Sequence, residues 1–79
     1  MFPFSLATVD EILFEGEVVS VTAPGVSGEL TILSNHSPLI TTLKKGVVKV
    51  RAQKEGNLQE FKISGGLLET SGNRTTILV

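Results

Sequence analysis

The chain has 79 residues, 41% of them hydrophobic, and its seven basic and eight acidic residues leave a formal net charge of −1. A single small domain of this size buries only about 60% of its unfolded surface, so little apolar material remains for a deep active site. Nucleic-acid binding driven by counterion release needs a basic excess, which this composition lacks. The absence of cysteine excludes disulfides, thiolate metal sites and cysteine nucleophiles, and it favours a reducing compartment.

The first ten residues, MFPFSLATVD, lack the basic segment and the long apolar segment of a secretory signal peptide. Uninterrupted apolar runs elsewhere extend over only a few residues, whereas a membrane-spanning helix needs about 20. The Asn-X-Ser/Thr sequons at Asn35 and Asn73 are therefore interpreted as accidental.

Turn signals recur along the whole chain. Because glycine supplies positive φ and proline fixes φ, the chain is predicted to reverse at these signals. Gly28, Pro38, Gly46, Gly65 and Gly66 are the positions assigned to structural turns. The full set is Pro24-Gly25, Gly28, Ser34-Asn35, Pro38, Lys45-Gly46, Gly56-Asn57, Gly65-Gly66 and Gly72-Asn73. Between these signals lie runs of about 4–8 residues, which is the usual length of a strand.

Taken in chain order, segments 17–23, 47–53 and 58–64 alternate apolar and polar residues with a period of two. This period predicts strands with one face toward a core. The predicted inward residues are Val19, Val21 and Ala23, then Val48, Val50 and Ala52, then Phe61 and Ile63. The closing segment RTTILV (74–79) is β-branched and apolar, which predicts a strand covered on both sides. No window of eleven residues keeps a helical apolar stripe, so no helix is predicted.

These elements predict an all-β fold: a flattened two-sheet β-sandwich or barrel of about 8–10 short strands, without a C-terminal helical hairpin. The sequence shows no internal repeat, no linker and no low-complexity tract. Residues 1–79 are therefore predicted to form one domain.

His36, the only histidine, is the obvious candidate for a general base. A base also needs a nucleophile within reach and a group that orients its ring. Ser34 and Ser37 flank the histidine, but neighbouring residues in one turn generally cannot form a working proton relay. Glu29 is the one carboxylate expected near the histidine in space, and a single carboxylate is a weak basis for a catalytic site. A loop histidine that bonds locally or contacts a partner is the favoured interpretation, and no catalytic residue is predicted.

Metal and cofactor sites are equally poorly supported. One histidine without cysteine cannot complete a structural zinc site, and Asp10-Glu11, the only acidic pair, is interpreted as a solvated turn rather than a calcium loop. Gly65-Gly66 lacks both the dinucleotide and the P-loop spacing, so it is interpreted as a tight bend. A single-strand-binding module would stack bases on aromatic rings, but the chain has no Trp or Tyr, and its four Phe are interpreted as packing residues.

The segment GELTILSNHSPLITTLKKGVVKV (28–50) resembles the N-terminal β-sandwich domain of the epsilon subunit of rotary ATP synthase, whose mitochondrial counterpart is called delta. The resemblance covers the whole chain in order. Its residues are Phe14, Gly16, Val18, Val21, Thr22, Gly28, Glu29, Leu30, Ile32, Leu33, His36, Pro38, Leu39, Lys45, Gly46, Val48, Phe61, Ser64, Gly65, Gly66, Leu68 and Glu69. Departures from the family pattern are Thr31 for glycine, Ser34-Asn35 for Pro-Gly, Ser37 for alanine and Lys45 for proline. Asn35 tolerates positive φ and is expected to keep its turn.

The resemblance implies a non-catalytic rotor subunit of the central stalk, with the gamma subunit and the polar loops of the c-ring as partners and with no cofactor. It also implies a location on the cytoplasmic face of the bacterial inner membrane. Glu29, His36, Ser34 and Asn35 are the implied c-ring contacts. One exposed ion pair contributes only about 0.2–1 kcal/mol, so Glu29 is expected to orient docking while an apolar gamma-facing patch supplies affinity.

Two other hypotheses remain open on the residues alone. One is a stand-alone β-sandwich or OB-like binding module for a peptide or a nucleic acid. The other is a small hydrolase that uses His36 and a serine.

Overall fold

A computed structural model describes residues 1–53 and 56–79, and in these residues it contains nine β-strands and no helix. The strands are β1 (Phe2–Ala7), β2 (Ile12–Val18), β3 (Ser20–Gly25), β4 (Gly28–Ile32), β5 (Leu39–Leu43), β6 (Gly46–Arg51), β7 (Gln59–Ile63), β8 (Gly66–Ser71) and β9 (Arg74–Leu78). The predicted all-β class and the predicted 8–10 strands are confirmed. The described residues thus contain no apolar helix that could cross a membrane.

The strands are hydrogen-bonded in the order β2-β1-β9-β8-β5-β3-β6-β7, and β4 pairs with β3 outside this path. All pairs are antiparallel except β1 with β9. β5 meets β3 at one residue pair only, Gly25 with Leu43. This junction divides the continuous sheet into a five-stranded layer (β2-β1-β9-β8-β5) and a four-stranded layer (β4-β3-β6-β7), as expected for a two-sheet sandwich.

The predicted chain reversal at Lys45-Gly46 is wrong. β5 and β6 both run antiparallel to β3, so the chain passes from one layer to the other without turning back. The N–H of Lys44 donates to the carbonyl of Pro24 at 2.8 Å, which holds this crossing against β3. A Cβ on Gly46 would lie only 2.9 Å from the Pro24 ring. Glycine is needed here for close packing rather than for reversal.

The core lies between the two layers, and on β3, β6 and β7 it uses the strand faces that the period-two pattern predicted. Val21, Ala23, Val48, Val50 and Ile63 are all buried as predicted. The other buried apolar residues are Phe2, Phe4, Leu6, Val18, Ile32, Leu43, Leu68 and Ile77. Three side chains predicted to face inward are only half-buried. Val19 and Ala52 lie just outside β3 and β6, where the predicted alternation extended beyond the strand. Phe61, within β7, is also half-buried.

β9 is not covered on both sides, contrary to the prediction. Thr75 and Ile77 are buried, whereas Arg74 and Leu78 are exposed. The five-stranded layer has only one face toward the core, so its β-branched strand is half-buried like its neighbours. The buried hydroxyl of Thr75 donates to Oγ1 of Thr70 on β8 at 3.0 Å, which satisfies a polar group that would otherwise destabilise the core.

Aromatic contacts close the sandwich where no strand pairing does. β2 and β7 are the two ends of the hydrogen-bonded order. Phe14 of β2 packs edge-on against Phe61 of β7, with ring centroids 6.2 Å apart, and against Phe4 of β1 at 5.9 Å. These separations are those of favourable aromatic pairs. Side-chain packing therefore covers the core at this side, and the outer edge of β2 stays free of a pairing strand among the described residues.

Candidate docking surfaces

The four implied c-ring contacts are divided between the two ends of β4. Glu29 is exposed near the start of the strand, whereas Ser34, Asn35 and His36 follow its far end at Ile32. At about 3.3 Å per strand residue, Glu29 and Ile32 alone are roughly 10 Å apart. The structure therefore brings Ser34, Asn35 and His36 together and keeps Glu29 apart from them.

Glu29 belongs to what we call the hairpin end, formed by the β3–β4 turn at Val26 and Ser27 and by the β5–β6 crossing at Lys44 and Lys45. Glu29 is the register partner of Pro24, whose carbonyl accepts the Lys44 N–H. The hairpin needs Gly28, which has φ +132°. One exposed carboxylate and two exposed lysines thus lie at the same end, a juxtaposition that depends on the layer crossing.

The opposite end, which we call the Asn35 end, joins turns from both layers. The N–H of Asn35 donates to Oδ1 of Asn73 at 2.7 Å, and both asparagines have a left-handed backbone with φ near 60°. Asn35 therefore keeps the turn, as expected from its tolerance of positive φ. The hydroxyl of Ser34 donates to the Met1 carbonyl at 3.4 Å. This network connects the β4–β5 loop to the β8–β9 turn.

His36 makes the local bonds expected of a loop histidine. Its backbone N–H donates to the carbonyl oxygen of Leu33 at 3.2 Å, and Nδ1 of its ring lies 2.7 Å from the carbonyl oxygen of Ser37. Since a carbonyl only accepts, this contact is a hydrogen bond when Nδ1 carries the proton, and Nδ1 is then engaged locally rather than with Ser34 or Ser37. In residues 1–53 and 56–79, no three His, Asp or Glu side chains converge on a potential metal position.

An open cavity of about 490 Å³ lies beside the Asn35 end. It is lined by Met1, Val19, Leu33, Ser34, Ala52 and Gln53. None of these side chains is an acid or a base, and a general acid–base reaction requires one within hydrogen-bonding reach of the substrate. Among residues 1–53 and 56–79, the side chains that line the cavity therefore supply no general acid or base.

Removing the side chain of Asn73 is expected to loosen the Asn35 end. Asn73→Gly keeps the left-handed backbone accessible but deletes the acceptor of the Asn35 N–H, so the loss is that of one hydrogen bond, about 0.5–1.5 kcal/mol. Hydrogen exchange of the Asn35 amide should accelerate several-fold more than global stability explains. Unchanged exchange at Asn35 would contradict a connection through this bond. Asn57→Gly, at an exposed loop position, is the control.

A row of apolar side chains crosses the outer face of the five-stranded layer. Leu67, Leu78, Ala7 and Ile12 are successive cross-strand partners on β8, β9, β1 and β2. Leu67 and Leu78 are each 46% exposed and Ile12 is 61% exposed. We call these four residues the outer apolar row. The sequence contains its signal in the doublets Leu67-Leu68 and Ile77-Leu78, since consecutive strand residues point to opposite faces.

The outer face of the four-stranded layer is polar instead. Thr31, Thr22, Lys49 and Glu60 are successive cross-strand partners there. The hydroxyls of Thr22 and Thr31 lie 3.0 Å apart. The threonine that replaces the family glycine at position 31 thus bonds across the strand pair. The two outer faces differ in chemistry, and an exposed apolar face of this kind typically marks a protein contact.

Comparison with known proteins agrees with these features. The family model described as the ATP synthase delta/epsilon chain β-sandwich domain matches residues 1–79. The chain is 44% identical over 77 residues to the ATP synthase epsilon chain of Dichelobacter nodosus, covering 98% of this chain and 53% of that one. It is 38% identical over 77 residues to the epsilon chain of Chlorobium limicola, covering 98% and 86%.

Two solved structures share the fold. A chain of the Euglena gracilis mitochondrial ATP synthase (OSCP, F1 and c-ring, rotational state 1) superposes with a TM-score of 0.87 at 24% identity, over 96% of this chain and 48% of that one. A chain of the Tetrahymena thermophila mitochondrial ATP synthase central stalk and c-ring gives 0.80 at 22% identity, over 98% and 61%. Identity this low supports the fold alone.

Fold and surface together define a small all-β sandwich domain with one apolar and one polar outer face. The chain belongs to the ATP synthase delta/epsilon chain β-sandwich domain family. It spans about half the length of the Dichelobacter nodosus relative.

Proposed function

We propose that this domain acts as a non-catalytic rotor element of the central stalk in a proton-translocating ATP synthase. In this role it docks a gamma subunit to the polar loops of the c-ring and helps couple proton flow to ATP synthesis. The family match over residues 1–79 is the observation that carries the proposal. The domain would lie peripheral to the membrane, on the cytoplasmic face of a bacterial inner membrane.

The outer apolar row is our candidate for the gamma-facing surface. Burying a Leu or Ile side chain completely contributes about 1.5–3 kcal/mol, far more than one exposed ion pair. Ile40 lies on the same outer face and is 66% exposed, which extends the apolar surface to β5. A stable protein contact buries at least about 1,200 Å² in total, so the row would form the centre of a larger patch.

Two separate contacts are needed for the residues assigned to the c-ring. Glu29 at the hairpin end can pair with basic or amide groups of a polar loop, with Lys44 and Lys45 beside it for acidic ones. Ser34, Asn35 and His36 would make a second contact at the Asn35 end. Because these ends lie at opposite ends of β4, we expect variants at the two ends to weaken ring binding independently.

The gamma contact is tested by measuring the affinity of a purified gamma subunit for the chain. Leu67→Gln with Leu78→Gln should weaken binding about 100-fold, since each change removes an apolar side chain that the contact with gamma would bury, and about 1.4 kcal/mol per side chain corresponds to tenfold. Leu58→Gln, which changes a leucine of similar exposure outside the row, should change binding less than about threefold. Equal effects of both changes would reject the row as the gamma face, and failure of the unaltered chain to bind gamma would reject the rotor role.

The ring contact is tested in the assembled enzyme. Glu29→Arg should reduce c-ring binding and coupled proton pumping by a factor of about two to five, as expected for one exposed ion pair. Glu60→Arg, on the polar outer face of β7, is the matched control. Unchanged assembly and pumping with Glu29→Arg would exclude Glu29 as a ring contact.

A further inference from the structure

β2 has an unpaired edge that is unusually open. It is the first strand of the hydrogen-bonded order and pairs only with β1 among the described strands. Five of its seven residues are exposed. Such an edge presents free backbone N–H and C=O groups, which another strand can pair with.

The register shows which backbone groups are free. The Ala7 carbonyl accepts the Val79 N–H at 2.9 Å, so Ala7 directs its backbone groups away from β2. Backbone direction alternates along a strand, so Phe4 and Leu6 direct theirs toward β2, where their partners are Gly16 and Phe14. Glu15 lies between Phe14 and Gly16, and Glu17 follows Gly16. The backbone N–H and C=O groups of Glu15 and Glu17 therefore point outward from the edge.

The side chains along the β2 edge favour a partner of positive charge. Glu15 and Glu17 lie on the outer face opposite Ser5 and Pro3, and both are exposed. A second copy of β2 added here would bring like charges together, so the edge disfavours self-pairing. Residues 1–43 contain no lysine or arginine, so no basic side chain of the first four strands neutralises these carboxylates.

We propose that β2 accepts an extended basic segment of a partner protein as an added strand. Basic side chains of that segment would lie beside Glu15 and Glu17 on the outer face. Its alternate side chains would be apolar and would lie on the inner face, beside the half-buried rings of Phe14 and Phe61. Main-chain hydrogen bonds supply the affinity in this recognition mode, and the alternating side chains supply its specificity.

The other free edges fit such a segment less well. β7 alternates Glu60 with Lys62 on its outer face, so its charge is balanced. β4 has five residues and one carboxylate, Glu29. Of the nine described strands β2 is the longest, and its acidic residues occur at the period of two that an added strand requires.

The test uses a synthetic ten-residue peptide that alternates valine and lysine, with a valine–glutamate peptide as control. Binding of the valine–lysine peptide to the isotope-labelled chain should slow amide exchange of Glu15 and Glu17 at least tenfold. The amides of Phe14 and Gly16 already bond to β1 and should not change. Glu15→Lys with Glu17→Lys should weaken binding at least tenfold, whereas Glu60→Lys on β7 should change it less than threefold.

Glu15→Pro separates strand addition from simple charge attraction. It removes an outward N–H, which an edge strand does not need for its own folding, so the fold should survive while peptide binding is lost. Binding without slower exchange at Glu15 and Glu17 would overturn strand addition, as would equal binding of the valine–glutamate peptide. Absence of any binding would overturn the proposal entirely. None of these outcomes depends on a gamma subunit or a c-ring.

Discussion

Phe4→Ala is expected to lower the free energy of unfolding by about 3–5 kcal/mol, which is the usual cost of emptying a buried phenylalanine site. Phe4 is 1% exposed on β1, between β2 and β9, and its ring packs on Phe14. β1 is hydrogen-bonded to β2 on one side and to β9 on the other, which limits how far its backbone can move into the space. At about 0.05–0.15 kcal/mol per residue, a domain of this length has only about 4–12 kcal/mol of stability, so the variant should lose much of it.

Thermal and urea denaturation of Phe4→Ala would measure this loss. A change of about 4–8 °C in the melting temperature per kcal/mol predicts a drop of roughly 12–40 °C. Ile40→Ala, at an exposed position on the outer face, should change stability by less than about 0.5 kcal/mol. Similar melting temperatures for the two variants would contradict the burial of Phe4 in the core.

Gly66→Ala is expected to destabilise the five-stranded layer by about 1–3 kcal/mol or more. A Cβ on Gly66 would lie 2.6 Å from the carbonyl oxygen of Leu78 and 2.9 Å from Cγ1 of Val79. The carbonyl belongs to β9, which pairs with both β8 and β1, so it can yield only if these strand pairs shift. Forced overpacking of this kind has the cost given above.

Denaturation of Gly66→Ala, combined with amide exchange of β8 and β9, provides the measurement. Protection should fall along both strands rather than at one residue. Gly72→Asn is the control, because the β8–β9 turn offers open space at Gly72 and asparagine tolerates its φ of +56°. If Gly66→Ala proved no worse than Gly72→Asn, the close approach at Gly66 would not constrain the layer.

The two outer faces of the domain differ in chemistry, and this difference fits the proposed role in a large assembly. The five-stranded layer exposes the outer apolar row, and the four-stranded layer exposes threonines and charges. Apolar area supplies most affinity in a protein contact, whereas exposed charges mainly orient the partners. In the proposed rotor, the apolar face would hold gamma and the charged hairpin end would set the orientation on the ring.

The all-β class could be predicted from local sequence because the side chains of a strand alternate between the two faces of a sheet. Val21, Ala23, Val48 and Val50 were assigned to the core on that ground, and all are buried. The same local rule failed at Lys45-Gly46, where the predicted reversal is a crossing between layers. Glycine and proline indicate where the backbone adopts an unusual conformation or packs closely against another segment. They do not indicate the direction of the next strand.

The candidate contact residues illustrate the same limit. The family resemblance assigned Glu29, Ser34, Asn35 and His36 to the same ring-facing end of the domain. An extended strand lengthens by about 3.3 Å per residue, so β4 separates them. Conversely, Asn35 and Asn73 are distant in sequence and lie 2.7 Å apart between the Asn35 N and Asn73 Oδ1.

By itself, the sequence determined the all-β class, the approximate strand number and the inward faces of β3, β6 and β7, since these depend on side-chain alternation and turn chemistry between near neighbours. Only the tertiary structure decided the layer crossing, the outer apolar row, the free edge of β2 and the division of the contact residues between two ends. These features arise from the register between strands that are remote in the chain, and the strand periodicity does not specify that register.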